Sequence, residues 1–299
     1  MRDETTTTRA RLVPRLETLA AAALFSTGGA AIKAVHLTGI QVACFRSAIA
    51  ALTLFVLLPS GRRLPKARDL AVGATYAVTM VLFVVANKLT TSASTIFLQD
   101  TSPLYVLLLG PWLLHEPIRR RDLGFMAVLA CGLALFFVGL DPASATAPDP
   151  LRGDLLAILS GLFWAGTVVG FRFLGKREGK SGGGGAAAVW GNVLACLVCL
   201  PAALPLGGSR PLDWAILGYM GIFQLGLAYV FLTRALRQVP AFEAALLLLL
   251  EPVLNPIWSW LVHGERPSPW SFAGGGVILG ATIVKSWLDV RSRQTVPAG

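Results

Sequence analysis

The sequence predicts an all-α integral membrane protein, with ten transmembrane helices in two inverted five-helix repeats and both termini cytoplasmic (N-in/C-in). Three observations carry this expectation. Apolar runs of about 20 residues, the length of helix that crosses a ~30 Å hydrocarbon core, recur along the 299-residue chain. Basic residues fall on alternate connections between those runs. A proline–glutamate pattern occurs twice, once in each half.

Composition excludes other classes. The chain is 55% hydrophobic and 14% charged, with a mean hydropathy of +0.65, which leaves too few charges to coat a soluble surface. A membrane β-barrel would show alternating segments of ~10 residues, and none is visible. A net charge of +10 would suggest nucleic acid on a soluble chain. Here the basic residues read as loop anchors, so no nucleic-acid partner is expected and the bilayer is the expected surrounding. Cys44, Cys131, Cys196 and Cys199 all lie inside apolar runs and read as apolar filling, despite the CxxC spacing of the last two.

Taken in order, the spans lie near 16–36, 40–58, 69–88, 91–114, 122–140, 153–173, 186–206, 212–234, 240–262 and 269–288. A cytoplasmic tail, residues 1–15, precedes the first span, which is long enough to cross and is not a cleavable signal. "PSGRRLPKARD" and "LHEPIRRRD" are basic turns after the second and fourth spans. "DPASATAPDP" opens a periplasmic linker, residues 141–152, between repeats at 16–140 and 153–288. "KREGKSGGGG" is a basic loop after the sixth span, and residues 289–299 form a cytoplasmic tail. With the N-terminus inside, 20 of the 26 Lys and Arg fall on the cytoplasmic side and five outside, leaving Arg46 within a span. One missed helix would scramble that alternation.

"SPLYVLLLGPWLLHE" aligns with "EPVLNPIWSWLVHGE": Pro103 falls on Pro252 and Glu116 on Glu265, a Pro-x12-Glu in each half. Five spans per copy make the second copy inverted, an architecture that recurs in secondary transporters. The ten spans, the repeated Pro-x12-Glu and the Arg early in the second span ("QVACFRSAIAAL") resemble the EamA family of the drug/metabolite transporter superfamily. Within it the chain is most similar to bacterial amino-acid and metabolite exporters, including the YddG-type exporters of aromatic amino acids. The resemblance implies export of small metabolites across the bacterial inner (plasma) membrane, without ATP hydrolysis. The seventh span has no partner for Arg46, so any role of that residue is not symmetric.

Polar and aromatic stripes inside the spans mark candidate pathway residues, because polar groups in a membrane helix usually face protein or water. Gln99 and Ser102 share a helical face with Ser92 and Thr95; Glu251 and Asn255 share one with Trp258. In the repeat register Ser102 falls on Glu251. Tyr76, Thr79 and Phe83 stripe the third span, Trp164 the sixth with Ser160 and Thr167, and Gln224 the eighth, less regularly with Tyr219, Phe223 and Tyr229. Phe25 lies in the first. Each aromatic equally suits helix packing, each Ser or Thr a back-bond to its own helix, and each amide or Glu251 an interhelical bond. Arg46 and Asp100 are candidates for a structural pair, since burying either alone is expensive, with separate roles the equal alternative. Glu116 and Glu265 end equivalent helices, as gates or as acceptors for the next helix's first amides. Pro103, Pro252 and Pro256 read as bends, either hinges for alternating access or static kinks.

Other motifs fail. "GKREGKS" lacks one residue of the phosphate-loop spacing, so no nucleotide cofactor is expected. His36, His115 and His263 fall on different sides and give no metal centre. Gly166-x3-Gly170 and Gly276-x3-Gly280 fit close packing, within a monomer or across a dimer. The expected function is a secondary transporter for a small molecule, with amino acids, aromatic or otherwise hydrophobic, favoured and with buried carboxylates available for proton coupling. The alternatives are an intramembrane enzyme, which needs converging titratable groups, or a small-molecule channel.

Overall fold

The computed structural model describes residues 2–113, 120–138, 143–178, 184–235, 239 and 247–294. Among these the chain is helical, apart from short connections and one isolated bridge between Ser144 and Ala147.

The helices are α1 (Arg2–Ser26), α2 (Gly28–Ala34), α3 (Gly39–Leu57), α4 (Ala67–Leu89), α5 (Ser92–Gln99), α6 (Ser102–Leu113) and α7 (Arg120–Val138). After the linker come α8 (Pro150–Glu178), α9 (Gly185–Ala203), α10 (Pro211–Tyr219), a π-helical segment (Met220–Leu227), α11 (Ala228–Ala235), α12 (Leu250–His263) and α13 (Pro269–Gln294). Among the described residues, five helical stretches are long and apolar enough to cross a membrane: Gly39–Leu57, Ala67–Leu89, Pro150–Gly175, Gly185–Ala203 and Pro211–Ala235. Large apolar side chains such as Leu52, Val56, Val198, Leu261 and Phe272 are exposed, a surface suited to lipid rather than water.

Local chemistry sets the boundaries. Thr38 and Gln41 form a capping box at α3, and Thr91 accepts the Ser94 N–H at α5, 3.1 Å. Asp69 starts α4 by accepting the Lys66 N–H at 2.8 Å, and Asp213 starts α10 by accepting that of Arg210 at 2.9 Å. Gly264, at φ 66°, ends α12 in the left-handed region that glycine tolerates best.

Among the described residues, four stretches that read as single helices are interrupted. The first breaks at Thr27, whose hydroxyl donates to the Leu24 carbonyl, 2.7 Å. The fourth breaks at Asp100–Thr101, between α5 and α6. Pro103 has no N–H for the Gln99 carbonyl and its ring crowds that group, so α5 stops there; the Thr101 hydroxyl donates to the Leu98 carbonyl instead, 2.6 Å. Pro252 stands likewise to Leu248, and a turn falls at Leu249, at the equivalent place of the second half. The eighth stretch passes through the π segment, where Gly221 and Gly226 let the backbone close on Ile49 and Thr53 of α3.

The helices alternate in direction. At one end, Lys33 of α2 pairs with Glu265 beyond α12, 3.1 Å, and the Thr90 hydroxyl after α4 donates to Asp154 at the start of α8, 2.7 Å. There too the His36 N–H donates to Asp213 at the start of α10, 2.9 Å, and Gln41 of α3 donates to the Ala203 carbonyl ending α9, 3.1 Å. At the other end, Arg63 grips Asp69 with two bonds of 3.0 Å and Lys285 of α13 pairs with Asp122 of α7 at 2.7 Å. The packing pairs exchange between halves. α4 lies on α8 as α11 lies on α1; α5 and α6 meet α8 as α12 meets α1; α4 meets α9 as the π segment meets α3. α3 on α9 and α7 on α13 complete the set.

Candidate functional site

The interior between these helix pairs collects polar groups. α3 carries Arg46 to the centre, 1% exposed. Its Nη2 approaches the Met80 sulfur at 3.6 Å, while Nε has no partner. The Tyr76 and Tyr229 phenols lie within electrostatic reach of the guanidinium. Their rings meet edge to face, centroids 5.9 Å apart, and Phe25 packs edge-on against Tyr229 at 5.3 Å. Phe171 tilts over Tyr76 at 6.3 Å, Trp164 packs on the same cluster, and Asn192 donates to the Tyr76 hydroxyl at 3.2 Å. Such edge-to-face clusters are rigid and present both apolar faces and hydroxyl tips.

Tyr229 also lies within electrostatic reach of Glu251 on α12, and Glu251 within reach of Asp100 at the α5–α6 break. The candidate Arg46–Asp100 pair is not formed. Among the described residues neither Asp100 nor Glu251 has a cationic partner, and Asp100 Oδ2 has no hydrogen bond. Asp100 sits in the break between α5 and α6. Asp100 and Glu251 are each half-buried as residues, and Asp100 Oδ2 is itself shut off from solvent.

A second group surrounds the first. Gln99 donates to Ser160 at 2.7 Å, and Ser160 to the Thr79 carbonyl at 3.3 Å, tying α5, α8 and α4. The Thr79 hydroxyl back-bonds to its own helix at Thr75, 2.9 Å. Gln224 of the π segment donates to the Phe25 carbonyl at 3.4 Å and leaves its own oxygen unpartnered. Asn255 is fully buried with neither amide atom bonded. It faces Gly29, where an added Cβ would collide with Asn255 and Ser92. Trp258 donates to Ser26 at 3.0 Å.

Other sequence candidates lie elsewhere. Phe83 joins a separate apolar cluster with Val35, Val42 and Phe97. Ser102 is buried beside the α5–α6 break. Glu265 does not cap the following helix: it holds Lys33 and accepts the Ser92 N–H at 3.0 Å. Lys33 also donates to the carbonyls of Thr90 and Thr146, so one ion pair closes that end of the bundle. Glu116 lies outside the described residues. Pro252 and Pro256 are buried in α12. Tyr229 and Phe171 matter more than the sequence suggested. The π segment adds a residue to the turn and throws Tyr229 out of the 3.6-residue stripe; that irregular spacing was the available signal. No group of three or more His, Cys, Asp or Glu converges among the described residues.

The model of the EamA-like transporter family matches residues 16–138 and, a second time, residues 151–287. The chain belongs to the EamA-like transporter family. It is therefore a membrane transporter of the drug/metabolite type. Among its EamA-like relatives, a pseudopaline exporter, CntI, of Pseudomonas aeruginosa is 28% identical over 270 residues, 88% of this chain and 92% of that one. The human solute carrier family 35 member G1 is 24% identical over 295 residues, covering 90% and 78%. These relatives do not carry the finer likeness to YddG-type aromatic exporters. A solved structure aligns over 94% of this chain and 99% of its own with a TM-score of 0.62. At 20% identity that likeness concerns the fold alone.

Proposed function

We propose that the protein is a secondary transporter exporting small metabolites, amino acids among them, across a bacterial inner membrane by alternating access. The observation that carries this is the polar interior: Arg46, Asp100, Glu251, Gln224 and Asn255 come from both halves of the chain. All but Glu251 hold buried polar atoms with no partner. Buried polar groups in a membrane protein are expected to be satisfied, and ligand or water is the remaining source.

The ten-span reading is supported by the alternating helix ends, by the two family-model matches and by packing pairs that exchange between the halves. In an N-in arrangement the Lys33–Glu265 end is periplasmic, and its closure makes this an outward-closed state. Rocking of one repeat on the other about the Pro103 and Pro252 breaks then exposes the same site to either side. That one relative is named a pseudopaline exporter supports export of a small metabolite.

The test is counter-flow in proteoliposomes against a panel of amino acids, purines and sugars, with and without a pH gradient. Saturable uptake with trans-stimulation supports the reading. Non-saturating flux without counter-flow points to a channel and ends it.

A further inference from the structure

The last two helices, α12 and α13, follow one another in the chain but hardly touch; each rests on α5 instead. Gly275 lets α13 settle there, since a Cβ at that position would collide with the Phe97 ring. Between the two helices lies a groove of about 770 Å³, lined also by Phe97. Val253, Ile257 and Trp260 form its α12 wall, at the i, i+4, i+7 spacing of one helical face. Phe272 and Gly276 stand in the α13 wall, and a Cβ built on Gly276 would meet nothing within 4 Å. All five wall residues are exposed. The groove ends at the α12–α13 connection, on Glu265, Arg266 and Pro267. Lys33 neutralises Glu265 at 3.1 Å. Arg266 is exposed and forms no ion pair or hydrogen bond among the described residues.

We propose that this groove binds an anionic phospholipid, with one acyl chain between α12 and α13 and the headgroup phosphate on Arg266. The site needs only the membrane setting and shares no lining residue with the polar interior. A flat apolar wall is covered by any fluid lipid, but a groove leaves its walls without partner atoms unless a chain enters it. The entrant is apolar along its length, because the walls carry no charged side chain before Glu265 and Arg266. Trp260, and Trp270 at the start of α13, are exposed near that end, the placement indoles take at headgroup depth. A phosphate there meets an unpaired guanidinium, whose planar fork suits it. The ammonium of a zwitterionic headgroup would find no free carboxylate, since Lys33 holds Glu265, so a net-negative lipid is favoured. A second copy of this chain is the poorer occupant. Two copies inserted the same way meet across a two-fold axis along the membrane normal, which sets Arg266 at the same depth as the partner's like charge.

Native mass spectrometry of the full chain in detergent tests this. The probes are phosphatidylglycerol and phosphatidylethanolamine with identical chains, and glycerol phosphate as a headgroup without chains. Wild-type protein is expected to bind the first phosphatidylglycerol about fivefold more tightly than the first phosphatidylethanolamine, the factor one basic side chain supplies at a membrane surface. Arg266→Gln removes that preference, whereas Lys66→Gln, at an exposed position of the other end, keeps it. Gly276→Phe fills the groove and weakens the first binding event of both lipids. If Gly276→Phe does not yield monodisperse protein, Gly276→Val replaces it, with the same result expected. Equal binding of the two lipids by wild-type protein overturns the site, as does a preference that survives Arg266→Gln or that Lys66→Gln abolishes as well. Competition by glycerol phosphate would make this an anion site without a chain, and unchanged first-lipid binding in the filled variant would place the lipid elsewhere; either overturns it. A wild-type dimer that the filled variant splits into monomers would show a second copy covering the groove and overturns it too. None of these readouts involves transport, so their failure leaves the transporter reading untouched.

Discussion

Gly29 has no room for a methyl group. A Cβ there would collide with Asn255 and Ser92, at the point where α2, α5 and α12 converge. Overpacking of this kind costs about 1–3 kcal/mol, so Gly29→Ala is expected to lower the Tm in detergent by several degrees, read by scanning fluorimetry. An unchanged Tm would show that α2 moves freely at this point. Charge pairs divide just as sharply by burial. Lys33 and Glu265 are each 3% exposed, whereas Arg152 and Asp149 are 79% and 38% exposed. Removing one partner of a buried pair costs ~3–5 kcal/mol, an exposed pair only ~0–1. Glu265→Gln should therefore lower Tm far more than Asp149→Asn, and equal effects would place the Lys33 pair in solvent. The oddity of Glu251 was legible in the sequence, as a carboxylate in an apolar run. The supposed Arg46–Asp100 pair was not: composition shows two charges that ought to meet, and only the break at Asp100 decides that they do not.

Secondary structure followed the apolar runs well, because length and hydropathy control where a helix lies in lipid. Breaks were legible only where proline announced them. Pro103 and Pro252 mark equivalent interruptions, whereas the Thr27 break and the π segment carry no proline and read as ordinary helix. The proline breaks give a separable prediction. Pro103→Ala restores an N–H for the Gln99 carbonyl and removes the ring clash, so α5 and α6 can join. Thermal stability is expected to hold or rise. Counter-flow is expected to fall ~tenfold or more, the factor that about 1.4 kcal/mol on the conformational barrier produces. A parallel loss of Tm and flux would make the break a packing feature; unchanged flux would make it a static kink.

At the scale of the whole molecule, orientation is set by charge rather than by any single contact. The two ends differ in how many basic residues they carry. Arg62, Arg63 and Lys66 lie between α3 and α4 at one end, Lys66 exposed, whereas Lys33 and Lys88 at the other are folded inward onto carbonyls and Glu265. Loops rich in basic residues stay on the cytoplasmic side because they resist translocation. The Lys66 end should thus be cytoplasmic and the linker at Ala145 periplasmic. In a background without the four native cysteines, Ala145→Cys should react with a membrane-impermeant maleimide in intact cells, because Ala145 is exposed. Lys66→Cys, equally exposed, should react only after permeabilisation. The opposite labelling would invert the molecule, turn the closed Lys33–Glu265 end inward, and make the described conformation outward-facing. Labelling of both sites in intact cells would mean a mixed topology and would overturn the reading of 20 basic residues inside against five outside.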